Sequence, residues 1–171
     1  SINKTSIVRS QLLEKNFYAV GAMNGLPIDI FTVNNNWQEI SIDVTESIRK
    51  AIGSESFRTF LINAIDKEKS YAEFYSKESG NGPVLSMVVN GVAMELPALR
   101  DTYISAGFNS HRNYGSEKTM IVQESGTFQN HDADTKRAYI AFDLRGLKAT
   151  DEINAATLKI KGRNASGTGE K

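Results

Sequence analysis

The sequence predicts an all-β protein, an antiparallel β-sandwich of the jelly-roll kind with one short helix. Three observations point there. Several segments alternate apolar and polar residues with a period of two, which marks strands packed on one face. Clusters of Gly, Asn and Ser separate these segments at short intervals. Almost nothing in the 171 residues shows a helical period. Many short strands and little helix leave a sandwich or barrel-like packing as the way to bury an apolar face.

Taken in order, "NFYAV" and "IDIFTV" are the first strand candidates. "EISIDVT" follows, with Ile40, Ile42 and Val44 on one side and Ser41, Asp43 and Thr45 on the other. "TESIRKAIG" accommodates a turn or two of helix, with Thr45 placed to cap it and Gly53 to end it. "FRTFLINAI", "AEFYSK", "PVLSMVV" and "KTMIVQE" are further strands. "RAYIAFDL" alternates Ala138, Ile140, Phe142 and Leu144 against Arg137, Tyr139, Ala141 and Asp143. "AATLKIKGR" places Ala156, Leu158 and Ile160 inward and Thr157, Lys159, Lys161 and Arg163 outward. Phe142, Ile140, Leu158, Ile160, Ile42 and Val44 are therefore expected in one shared core. The intervening "AMNG", "NNN", "SGNGP", "NSHRNYGS" and "NASGTG" read as turns.

Composition narrows the classes. Lys plus Arg and Asp plus Glu each number 20, so no bulk charge favours nucleic acid or a membrane surface. No apolar run approaches the length of about 18 residues needed for a spanning helix. The absence of cysteine excludes disulfides, zinc thiolate sites and thiol nucleophiles. It fits a secreted bacterial protein and a cytosolic one equally. The sequons at Asn3 and Asn164 matter only in a host that glycosylates asparagine.

The stretch from Arg100 carries a family pattern. "RDTYIS", then "NYG" at Asn113–Gly115, then "RAYIAFDL" at Arg137–Leu144, then "ATLKI" at Ala156–Ile160 resemble the opening half of DNRLRE-type (disaggregatase-related) modules, which include the family-96 carbohydrate-binding modules. "NNNWQEISIDVTESI" and "AEFYSKESGNGPVLSMVV" resemble the closing half. The order is closing half first. The expectation is one sandwich module over residues 1–171, built from a closing-half segment 1–96 and an opening-half segment 97–171. It is either circularly permuted through "MVVNGVAMELPALR" or cut from a tandem array. Half-sandwiches would expose edges and apolar faces, so the two halves are expected to pack together, within one chain or as a strand-exchanged dimer. A family stretch with a Trp and an acidic residue has no counterpart here, so one strand is expected to be absent or supplied by another chain.

The resemblance implies a non-catalytic polysaccharide binder attached to a secreted or cell-surface enzyme. Some relatives are associated with uronic-acid polymers such as alginate. The residues offer candidates for such a surface. Lys159, Lys161 and Arg163 lie on alternate positions, about 6.6 Å apart along a strand. Such a row of cations can meet successive carboxylates of an extended chain through charge-assisted hydrogen bonds. Exposed lysines on a strand also serve simply to blunt aggregation. Arg137 and Tyr139 join this row if their strand lies nearby. Arg112 and Lys118 stand in the loop "NSHRNYGSEK", where Tyr114 is expected to be a structural turn residue. Trp37 is a candidate sugar platform, and both burial and exposure are open for it. Asp132 and Asp134, in "NHDADTKR", and Asp101 are weak candidates for a structural calcium, the only cofactor considered. Asp43 and Asp143 fit turn or cap roles better than the paired carboxylates of a glycosidase.

Two other readings compete. A jelly-roll polysaccharide lyase would use a Tyr or His base with a cation on the uronate, and "HRNY" holds those residue types. A structural or adhesive cell-surface repeat would need only the fold. The preferred reading is a binding module without enzymatic activity. Its expected partners are a polysaccharide of acidic type and neighbouring modules, with neither nucleic acid nor membrane among them.

Overall fold

The computed structural model describes residues 8–15, 28–64, 71–105, 114–123 and 136–164. Eleven strands are seen: β1 (Val8–Lys15), β2 (Asp29–Val33), β3 (Gln38–Asp43), β4 (Phe57–Ala64), β5 (Tyr71–Tyr75), β6 (Val84–Val89), β7 (Val92–Pro97), β8 (Arg100–Ser105), β9 (Thr119–Gln123), β10 (Lys136–Asp143) and β11 (Ile153–Asn164). One helix, α1 (Thr45–Ala51), follows β3, and a single 3-10 turn (Lys77–Ser79) follows β5. All pairings are antiparallel. "NFYAV", at 16–20, lies outside the described residues.

The strands form two layers. One runs β2-β1-β4-β10-β8. The other centres on β11, with β3 along one side and both β5 and β6 along the other, extended by β9 and β7. Among the described residues one strand pair, Lys136 with Gln123, joins the layers. Strands from before residue 97 pair with strands from after it in both layers: β4 with β10, and β3, β5 and β6 with β11.

The core lies between the layers. Ile42, Val44, Ile140, Phe142, Leu158 and Ile160 are all buried in one apolar cluster. Phe31 on β2 meets Phe74 on β5 edge-on at 6.2 Å, which ties one layer to the other. Phe60 and Phe142 make a similar contact within the first layer. On β4 both faces are buried, so Thr59, Leu61 and Asn63 are as enclosed as Phe60 and Ile62. Arg58 is also buried; it donates to the Ser47 carbonyl at 2.9 Å and stands 3.5 Å from Glu55. A desolvated cation of this kind is tolerated where it is paired and hydrogen-bonded.

Two local readings change. "MVVNGVAMELPALR", expected as a joining segment, contains a hairpin. β6 and β7 pair residue for residue around Asn90 and Gly91, both at positive φ, as a tight twisted turn requires. The helix N-cap is Val44, one residue before Thr45, and no side chain caps it. The Asp43 carboxylate accepts the Thr45 backbone N–H and hydroxyl, while the Thr45 hydroxyl also accepts the Ala156 N–H. Thr45 therefore ties α1 to β11 instead of capping its own helix.

Candidate functional site

Lys159, Lys161 and Arg163 project from the outer face of β11, as their parity predicts. Their surroundings are set by the neighbouring registers. Lys161 lies opposite Glu39 and Lys159 opposite Ser41 on β3. On the other side, Lys159 lies opposite Val84 on β6 and Arg163 opposite Glu73 on β5. Because β5 and β6 follow one another along the same side of β11, the connection between them bulges out at the level of Lys159 and Lys161. Gly80–Gly82 lie in that connection. The result is a cleft of about 240 Å³ lined by Lys159, Lys161, Glu39, Glu95, Val84 and the Gly80–Gly82 turn. Among the described residues, neither lysine forms an ion pair within 4.0 Å.

Arg163 is engaged differently. Its guanidinium holds Glu73 at 2.7 Å through two nitrogens and lies 4.8 Å from the centre of the Trp37 ring. Trp37 in turn stacks on Tyr75. Trp37 is half-buried on the outer face, outside the core cluster, and its ring is already occupied. The row of three cations therefore splits into two lysines in a cleft, unpaired among the described residues, and one arginine built into an aromatic cluster.

The other candidates lie elsewhere. β10 belongs to the opposite layer, so Arg137 and Tyr139 do not extend the β11 row. Tyr139 lines a separate hollow with Thr59, Arg100 and Ala141. Lys118 is exposed two strands from β11, and its carbonyl accepts the Ser76 N–H. Arg112, Asp132 and Asp134 lie outside the described residues, as does His111 of "HRNY". Tyr114 of that loop stacks on Tyr103 at 4.1 Å and packs on the core. No cluster of three or more metal-ligating side chains occurs among the described residues.

Asp101 is buried against β10, where one carboxylate oxygen accepts the Lys77 N–H at 2.7 Å. Burial raises its pKa, partly offset by that hydrogen bond. Asp43 and Asp143 act as local turn anchors. Each accepts a backbone N–H from two residues ahead, and the Arg145 side chain and N–H draw the Asp143 pKa down to about 2. Asn164 is fully buried, so that sequon is closed to modification in the folded chain.

Sequence reasoning passed over Glu39, Glu95, Glu73 and Tyr75. The alternation of "QEISID" and "AEFYSK" places the β3 and β5 members outward. That β3, β5 and β6 flank β11 is a non-local fact no alternation shows.

The described strands form a β-sandwich with a polar cleft on one sheet face. Residues 92–171 match carbohydrate-binding module family 96, a stretch that contains β11 and both cleft lysines. No curated protein and no solved structure matches the chain.

Proposed function

We propose that the chain is a single carbohydrate-binding module that holds an acidic polysaccharide of the alginate kind in the cleft around Lys159 and Lys161, without cleaving it. The observation that carries this reading is a pair of lysines with no ion-pair partner among the described residues, at alternate positions of a strand inside the family-matched segment. The two lysines stand at alternate positions, about 6.6 Å apart along the strand backbone, a spacing that suits the carboxylates of an extended uronate chain. Glu39 and Glu95 supply acceptors for sugar hydroxyls in the same cleft. Exposed charge pairs contribute about 0.2–1 kcal/mol each, so affinity per module falls in the range of roughly micromolar to millimolar. Such weak single sites gain from multivalency, which fits a module of a larger secreted or cell-surface enzyme.

The test is affinity gel electrophoresis against alginate, polygalacturonate and a neutral β-glucan, at low and high salt. Retardation by the acidic polymers, lost at high salt, is expected, and their absorbance from unsaturated uronate should not rise. Equal retardation by the neutral polymer, or none by any, overturns the ligand class. Release of unsaturated uronate overturns the non-catalytic reading.

A further inference from the structure

One wall of the lysine cleft is held from behind. Its residues Gly80, Asn81 and Gly82 follow directly on the 3-10 turn Lys77–Ser79. Gly82 folds back on the start of that turn. A Cβ at Gly82 would stand 2.5 Å from the Lys77 Cα and 2.6 Å from the Lys77 nitrogen. An approach this close leaves no room for a side chain, so the wall rests on the Lys77 backbone and moves with it.

Lys77 is in turn fixed from the opposite layer. Asp101 stands on β8, on the core side opposite Ile140, and is only 5% exposed. Its carboxylate reaches the turn and accepts the Lys77 N–H at 2.7 Å, while its other oxygen makes no hydrogen bond. The far end of the wall is held from the same stretch of chain: the buried Ala98 donates its N–H to the Pro83 carbonyl at 3.0 Å. Ala98 and Asp101 thus grip the wall at both ends. A buried carboxylate with a single hydrogen bond is costly to enclose, and an apolar side chain would be cheaper. What the carboxylate secures is the place of the Lys77 N–H, for which a charged oxygen is a stronger acceptor than a neutral one. Ser76 is tied separately, through its N–H to the Lys118 carbonyl and its hydroxyl to the Glu117 carbonyl, so the turn keeps an anchor without Asp101.

We infer that Asp101 is a positioning residue for the lysine cleft: it meets no ligand, and through Lys77 it sets how the Gly80–Gly82 wall stands against Lys159 and Lys161. The assignment rests on the carbohydrate-binding reading and adds to it a residue outside the cleft, on the other sheet.

The test compares the parent with Asp101→Asn and Asp101→Ala, by amide hydrogen exchange of the ¹⁵N-labelled chain and by affinity gel electrophoresis in alginate. Asp101→Asn keeps an acceptor for the Lys77 N–H and should be retained nearly as well as the parent. Asp101→Ala removes the acceptor, so the Lys77 amide should exchange about tenfold faster. The Gly82 amide resonance should move, and alginate affinity should fall about tenfold. Ile62→Val, a truncation in the core at β4, should leave retention unchanged, which separates positioning from general loss of stability. Equal retention of Asp101→Ala and the parent overturns the inference. So does equal loss in Asp101→Asn or in Ile62→Val. Should Asp101→Ala fail to fold, Gly82→Ala probes the same link from the cleft side, since its Cβ must lift the wall off Lys77; unchanged retention there overturns the inference as well. A parent that binds no acidic polymer overturns the cleft reading instead, whereas unaltered Lys77 and Gly82 amides in Asp101→Ala overturn this inference whether or not the parent binds.

Discussion

The indole of Trp37 lies on the phenol ring of Tyr75, with centroids 3.9 Å apart and planes within 11° of parallel. The Arg163 guanidinium, held by Glu73, lies over the same indole. A lone tryptophan on a polysaccharide-binding face invites the role of sugar platform. Here it links the start of β3 to β5 and β11.

Trp37→Ala should therefore act first on stability. Loss of the stacked pair and its buried area should lower unfolding free energy by about 1–3 kcal/mol. Trp37→Phe should recover much of it. Chemical denaturation of both variants checks this. A Trp37→Ala chain as stable as the parent but unable to bind polysaccharide would restore the platform role.

The paired substitution Lys159→Ala and Lys161→Ala should weaken retention on an acidic-polysaccharide gel while changing Tm little, since neither lysine has an ion-pair partner among the described residues. The parent's own retention should fall with salt, because the screening length drops from about 10 Å at 0.1 M to about 3 Å at 1 M. Retention unaltered in the double variant would move the site off this face.

Gly162→Ala should destabilise the fold. A Cβ at this position would collide with the Phe74 ring, with Cε1 only 2.6 Å away, and would lie 3.0 Å from the Glu73 carbonyl oxygen. Phe74 is fully buried and cannot swing aside. Overpacking of this kind costs about 1–3 kcal/mol. An unchanged denaturation midpoint would show that β11 and β5 are not so closely apposed.

Asp143 should titrate near pH 2, against 3.8 for an unperturbed carboxyl, because the Arg145 side chain and N–H favour its charged form. The folded-state value is depressed. Its contribution to stability is therefore present above pH 3.8 and is lost as pH falls through about 2. Carbon-13 titration of the side chain measures this directly. A midpoint at the unperturbed value would mean that the Asp143–Arg145 turn does not form in solution.

How much of this was legible beforehand varies by element. The alternation in β3, β10 and β11 placed all six expected residues in the core, because a sheet with one buried face imposes its period directly on the sequence. The same parity put Lys159, Lys161 and Arg163 outside. β1 and β7 escaped notice: "VRSQLLEK" lacks clean alternation, and most of β7 is exposed, so neither carries a strong periodic signal. Arg58 gave no sign of burial, because its acceptors, the Ser47 carbonyl and Glu55, come from α1 and the turn after it.

The sequence by itself determined the fold class, the faces of the best-patterned strands and the local anchors at Asp43 and Asp143, all set by interactions a few residues long. Only the tertiary structure decided which strands are neighbours. That decision placed Glu39 beside Lys161, gave Arg163 to Glu73 and Trp37, and put Tyr139 in the opposite layer from the lysines. Pairing between strands far apart in the chain depends on how whole apolar faces fit together across the core. A period of two says which side a residue faces and nothing about what stands next to it.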